Sequence, residues 1–172
     1  PENIKGAMLT CILSDTLEFR SPTTTQEDTA IAHALAKDLG IDIPDYAAKM
    51  FAAKSDVSSF SEAELLRMDS KEYEVGGKQF RVSVLETTSP KTVLDRKDAL
   101  MAAMPGVATQ DGADQVLLFV VDILNEEATM LVPNDLTKSV AEKSFGATVT
   151  GDTVVLPGVM SRKKQIIPNL KV

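Results

Sequence analysis

The sequence predicts an α/β chain of the α+β-like kind, a mixed β-sheet covered by helices and preceded by a helix of its own. Three observations carry this. Up to Asp69 the apolar residues recur at helical spacing, and beyond it the period shortens to two. The run Val116–Val121 is apolar without a break, as a strand buried on both faces would be. Helices come first and strands mixed with helices follow, an order that suits a mixed sheet better than a regular doubly wound one.

Each element has its own signal. Residues 3–14 (NIKGAMLTCILS) are apolar nearly all round and predict a buried helix that stops at Asp15. Arg20–Thr25 is a polar loop whose last residue, Thr25, caps a helix over 26–39, with Asp28 completing a capping box and Gly40 closing the helix. Pro44 suits the first turn of a helix running to about Ala53, and Ser61 with Glu64 repeats the capping pattern for a short third one. Lys71–Val75, Gly76-Gly77 and Lys78–Glu86 predict a hairpin, because two glycines tolerate the positive φ that a tight turn demands. A helix over 90–104, a buried strand over 115–123 and a partner strand over 128–132 follow. Leu136–Phe145 is the last helix, with Gly146 as its stop, and two short strands around Thr148 and Val154 lead into a basic run. The best domain boundary is the loop Glu18–Thr25.

Composition narrows the function. The chain has 172 residues and a net charge of -7, enough for one domain or for one domain and part of another. So acidic a balance argues against nucleic acid or an anionic membrane as partner, since both require a broad positive field, and favours a small ligand. No stretch approaches the roughly 18 apolar residues of a membrane helix, and no secretory signal is visible. The single cysteine, Cys11, excludes an internal disulfide; its apolar neighbours predict a buried thiol in a reducing compartment, the cytoplasm. The chain opens Pro1-Glu2-Asn3, without Met, directly into apolar sequence, and reads like the interior of a larger protein.

Against that acidity, Arg162-Lys163-Lys164 stand together after the Pro157-Gly158 turn, between apolar Val159-Met160 and Ile166-Ile167. Structured backbone therefore carries them. Arginine offers a planar fork for two oxygens and lysine a point charge, a pairing that neutralises and orients a multiply charged oxyanion. If the run is extended, Arg162 and Lys164 share one face and Lys163 takes the other. The competing reading is a solvated basic strand edge that blocks aggregation. Asp15, ending an apolar helix, must cap, reach water or bind a cation. Lys54 falls in a last helical turn, where a lysine ordinarily answers the helix dipole. The only histidine, His33, sits mid-helix as a structural or exposed residue, and one histidine cannot build a histidine-rich metal site. Neither a Walker-type phosphate loop nor a nucleophile beside a base is present.

Taken together, Met8–Thr25 (MLTCILSDTLEFRSPTTT), the segment Ala53–Ser58, the run Leu65–Tyr73 (LLRMDSKEY) and Ser161–Gln165 (SRKKQ) resemble the manganese-dependent family II inorganic pyrophosphatases of the DHH phosphoesterase superfamily. The resemblance spans essentially the whole chain in order, and SRKKQ is fairly specific to that family. It matches the end of the family's N-terminal domain and its complete C-terminal domain. It implies that residues 1–20 are the tail end of the metal-binding DHH domain and 21–172 the substrate-binding domain.

By that resemblance Asp15, in its Ser-Asp-Thr context, is the last of the metal-binding aspartates, and Arg162 and Lys163 clamp the pyrophosphate. A third cation comes from the segment matching Phe51–Ser55. The family lysine falls at Ala52, two positions before Lys54, the only lysine there, to which the role is transferred. The implied cofactor is Mn2+, with Mg2+ or Co2+ as substitutes. The implied partners are pyrophosphate or phosphate, the N-terminal DHH domain and a homodimer formed through the longer protein. The family's early His-x-x-x-Asp-x-Asp cluster and Asp-His-His motif have no counterpart here, so the chain alone is expected to bind phosphate weakly and turn over almost nothing. Two alternatives stay open: an exopolyphosphatase-like hydrolase of the same superfamily, and a non-catalytic phosphate- or nucleotide-sensing module.

Overall fold

A computed structural model describes residues 1–172. The chain divides into two compact units, residues 1–56 and 57–172.

The first unit holds three helices, α1 (Glu2–Thr16), α2 (Gln26–Leu39) and α3 (Ile43–Lys54). Thr25 and Asp28 form the expected capping box on α2, and Gly40 ends it in the left-handed conformation. Asp42 accepts the Asp45 amide at the head of α3, with Pro44 in the first turn. Leu9 and Leu13 of α1 pack with Ala32 and Ala36 of α2 and Ile43 of α3. The loop Glu18–Thr25, expected to divide domains, lies inside this unit, because α1 and α2 share a core across it.

One expectation fails here. Cys11 is exposed, not buried. Helix α1 is apolar nearly all round but has a partner on one side only. The stripe Leu9, Leu13 and Thr16 is buried, whereas Ile4 (54% exposed), Met8 (49%) and Cys11 lie on the uncovered face. Apolar neighbours in sequence do not bury a residue whose helical face meets nothing.

The second unit is a five-stranded sheet in the order β1-β2-β3-β4-β5, with strands Ser70–Val75, Lys78–Thr87, Gln115–Asp122, Glu127–Leu131 and Thr153–Pro157. Only β2 and β3 run parallel; every other neighbouring pair is antiparallel. A parallel pair needs a crossover, and α5 (Pro90–Leu94) with α6 (Lys97–Asp111) supplies it, where the sequence predicted a single helix over 90–104. The mixed sheet with helical cover expected from the sequence is what forms. All eight residues of β3 are buried, as the unbroken apolar run required. Alternation along the strand gives each face its core. Leu118 and Val120 pack with Leu100 and Met104 of α6 and with Leu65 and Leu66 of α4 (Glu62–Met68). Phe119 turns the other way and meets Phe145 of α7 (Asp135–Phe145) edge to face. Each such aliphatic side chain contributes about 1.5–3 kcal/mol by leaving water.

One local expectation is corrected, and one conditional reading is settled. Residues 146–150 form no strand, so β5 alone occupies the region expected to hold two. The basic run is not extended either. Residues Arg162–Ile166 make a wide π-helical turn, continued by a short 3₁₀ turn at Ile167–Asn169. The face alternation expected of a strand therefore does not apply to Arg162, Lys163 and Lys164.

Candidate functional site

The cations of the second unit stand on that wide turn. The Ser161 carbonyl accepts both the Gln165 and the Ile166 amides, at 2.9 and 3.0 Å, which opens the turn beyond an α-helical one. The Ser161 hydroxyl accepts the Lys164 amide. Gln165 folds back to close the other side. Its Oε1 accepts the Met160 and Ser161 amides, each at 2.9 Å, and its Nε2 donates to the Gly158 carbonyl at 2.6 Å. Met160 and Ile166 are buried on either side of the run, so the turn is anchored at both ends while Lys163 and Lys164 reach solvent. π-turns recur at functional sites because they re-aim side chains at a cost in backbone geometry.

Arg162 is held differently from its neighbours. Its side chain is only 14% exposed. Nη1 donates to the Asp69 carbonyl at 2.8 Å and leans toward the Val82 carbonyl at 3.5 Å, while Nη2 donates to Asp69 Oδ1 at 2.8 Å. Asp69 in turn is fixed at the head of β1, where its carbonyl also accepts the Val84 amide. Lys163 is exposed and makes no ion pair. The site thus combines one seated guanidinium and one free ammonium on a rigid turn, an arrangement suited to an oxyanion with several charged oxygens.

Nearby lies a second, purely structural cluster. Arg67 donates from Nε and Nη2 to both oxygens of Asp111, and Arg81 pairs with Glu72. The Arg81 Nε sits 2.6 Å from Asp111 Oδ2 without the alignment of a hydrogen bond. Bonding from Arg67, followed by the charges of Arg81 and Arg67, outweighs burial and holds the Asp111 carboxyl below its ordinary value. Every cation in this cluster has an acidic partner, so it offers an anion little.

In the first unit Asp15 is exposed in the last turn of α1. A carboxylate there opposes the helix dipole, and that turn contains no basic residue to offset it. Directly after it, Leu17, Glu18 and Phe19 all adopt positive φ, 51°, 51° and 69°. Three successive non-glycine residues in the left-handed region cost about 1–2 kcal/mol each. The bend is held by Glu18 N–H to the Leu13 carbonyl, Ser21 N–H to the Thr16 carbonyl, an Arg20–Glu18 ion pair and stacking of Phe19 on His33. His33 is exposed, as one of its two expected roles had it. The unfavourable charge at Asp15 and the left-handed residues that follow it both lie at the C-terminal end of α1.

No three His, Cys, Asp or Glu side chains are grouped to hold a metal. Asp15 fits a hard divalent cation as one oxygen donor of a larger set, because its carboxylate is exposed and unpaired. Lys54 is the last residue of α3, also exposed. The helix continues through it, so positions 52 and 54 project about 200° apart and are not interchangeable without local rearrangement. Asp69, inside the LLRMDSKEY run, and Gln165, at the end of SRKKQ, carry no signal of their role in the sequence. Only the fold shows that Asp69 holds the Arg162 guanidinium and that Gln165 closes the turn.

The second unit is thus an α/β domain of sheet and helices that carries a seated arginine and an unpaired lysine on a hydrogen-bonded turn. Its family model is the DHHA2 domain, which matches residues 48–172, and the chain belongs to that family. It is 40% identical over 171 residues to a protein of Lactobacillus acidophilus and 44% identical over 176 residues to one of Deinococcus radiodurans, each named a probable manganese-dependent inorganic pyrophosphatase. These alignments cover 99% of the chain but 55% and 56% of the relatives, so the chain spans about half of their length. A crystal structure of a Methanococcus jannaschii protein assigned to the family II inorganic pyrophosphatases superposes with a TM-score of 0.85 at 33% identity, covering 99% of this chain and 55% of that one.

Proposed function

We propose that this chain is the substrate-binding portion of a manganese-dependent inorganic pyrophosphatase that hydrolyses pyrophosphate to two phosphates. The observation that carries the reading is the SRKKQ turn, where Arg162 is oriented by Asp69 and Lys163 is left free. Arg162 and Lys163 bind the phosphate groups and neutralise charge as it develops, with Lys54 as a third cation. Asp15 provides one ligand for Mn2+, which Mg2+ or Co2+ can replace. Such a metal, when bound, would supply a water acidic enough to act as a nucleophile near neutral pH. The remaining ligands come from an N-terminal DHH domain. The uncovered apolar stripe Ile4, Met8 and Cys11 on α1 supports such a partner, as does the greater length of the relatives. A homodimer formed through that longer protein, working in the cytoplasm, completes the reading. No helix is long and apolar enough to cross a membrane.

The deciding experiment measures phosphate release from pyrophosphate and from tripolyphosphate, with Mn2+, by a full-length protein carrying this chain and by the 172-residue chain alone. The full-length protein should favour pyrophosphate and lose about a hundredfold or more in rate with Arg162→Ala. The chain alone should show almost no turnover. Rapid Mn2+-dependent hydrolysis by the chain alone, or indifference of the full-length protein to Arg162→Ala, overturns the proposal.

A further inference from the structure

We infer that Asp69 is a positioning residue for Arg162, and that the part of the guanidinium presented to the oxyanion is its Nε–Nη2 edge. The inference rests on the reading of Arg162 as a pyrophosphate ligand. A guanidinium has five N–H donors in a fixed plane and can receive an oxyanion either at its Nη1–Nη2 end or along its Nε–Nη2 side. Here the end is occupied. The Asp69 carbonyl takes Nη1 and the Asp69 carboxylate takes Nη2, both at 2.8 Å. The side is open: Nε makes no hydrogen bond, and it is not among the buried unsatisfied atoms. One residue therefore closes one docking edge and leaves the other.

Asp69 can do this because its own place is fixed twice. It follows α4 directly, and its carbonyl lies at the β1–β2 ladder, where it accepts the Val84 amide. Arg162 is 93 residues away in sequence and comes to Asp69 only through the sheet. The carboxylate also balances the arginine charge at rest, while Lys163 stays unpaired. Two oxygens of one phosphate group would lie along the Nε–Nη2 edge, and Lys163 is free to reach a third oxygen.

The test follows the Arg162 side-chain Nε–H resonance of the 172-residue chain while sodium pyrophosphate is added, in wild type, Asp69→Asn, Asp69→Ala, Arg162→Ala and the double variant Asp69→Ala/Arg162→Ala. The Nε–H signal should move with saturation in wild type. Asp69→Asn keeps an acceptor of the same shape and should retain affinity to within about threefold, whereas Asp69→Ala should lose roughly tenfold. In the Arg162→Ala background Asp69→Ala should add nothing, because Asp69 acts through the arginine. Pyrophosphate binding with a stationary Nε–H signal refutes the edge assignment. An equal loss from Asp69→Ala with and without Arg162, or failure of Asp69→Asn to preserve binding, refutes the positioning role. If Arg162→Ala leaves pyrophosphate affinity unchanged, or no resonance of the chain responds, the reading of the site as a pyrophosphate clamp falls first.

Discussion

Replacing Gln165 with alanine removes the side chain that closes the cationic turn, and the structure sets the size of the effect. Three hydrogen bonds are lost, from the Met160 and Ser161 amides to Oε1 and from Nε2 to the Gly158 carbonyl. At about 1 kcal/mol net each, the ceiling is about 3 kcal/mol. Gly158 is exposed, so water replaces that bond at little cost, whereas Met160 is 4% exposed and its amide is harder to hydrate. The expected loss is therefore about 2 kcal/mol, equivalent to roughly thirtyfold in an opening equilibrium. Hydrogen exchange resolves it residue by residue. The Met160 and Ser161 amides should exchange roughly thirtyfold faster in Gln165→Ala, with β3 amides changed only as far as the global denaturation midpoint falls. Gln165→Glu keeps the acceptor for both amides but sets an anionic oxygen against the Gly158 carbonyl and adds a negative charge to the cationic turn, so it should protect the amides yet weaken pyrophosphate binding. Unchanged protection at 160 and 161 in Gln165→Ala would refute the clamp.

Three further outcomes are expected. Asp15→Asn should stabilise α1 by about 0.3–1 kcal/mol, because it removes a charge that opposes the helix dipole, while lowering Mn2+ affinity in the full-length protein; a lower melting temperature would contradict this. Asp111 has a folded pKa below its ordinary carboxylate value, chiefly through its bonds from Arg67. Its stabilisation is thus complete above the unfolded value and is lost as pH falls through the folded one. Acid titration of Asp111→Asn should show a shallower loss of stability in that range than wild type. In the hairpin turn both glycines have positive φ, 59° at Gly76 and 76° at Gly77, and a side chain at Gly76 would also stand 3.3 Å from Val172 Cβ. Gly76→Ala should therefore cost more than the roughly 1 kcal/mol of Gly77→Ala in chemical denaturation.

Much of the fold was legible in the sequence wherever the determinant is local. The capping pairs Thr25–Asp28 and Ser61–Glu64 act within one turn, and both form as expected. Gly40 and Gly146 stop their helices in the left-handed conformation for the same reason. The Gly76-Gly77 turn sets the register of β1 on β2, and the apolar run of β3 required burial on two faces. The errors are of another kind. A helix apolar all round gives no sign of which face its partner covers, so the exposure of Cys11 is not legible in the sequence. The strand expected near Thr148 does not form, and the conformation of the basic run is left open by the sequence, because short polar segments take their shape from what they pack against.

The candidate site divides along the same line. Its residue types, an aspartate ending a helix and three cations in an acidic chain, were determined by the sequence, together with the helices and strands that carry them. Tertiary structure alone decided how Arg162 is used. The sheet brings Asp69 against it from 93 residues away, and Gln165 shapes the turn on which Lys163 stands free. Residue identity fixes charge and hydrogen-bonding capacity. Which donors are occupied and which stay open depends on partners that only the folded chain assembles.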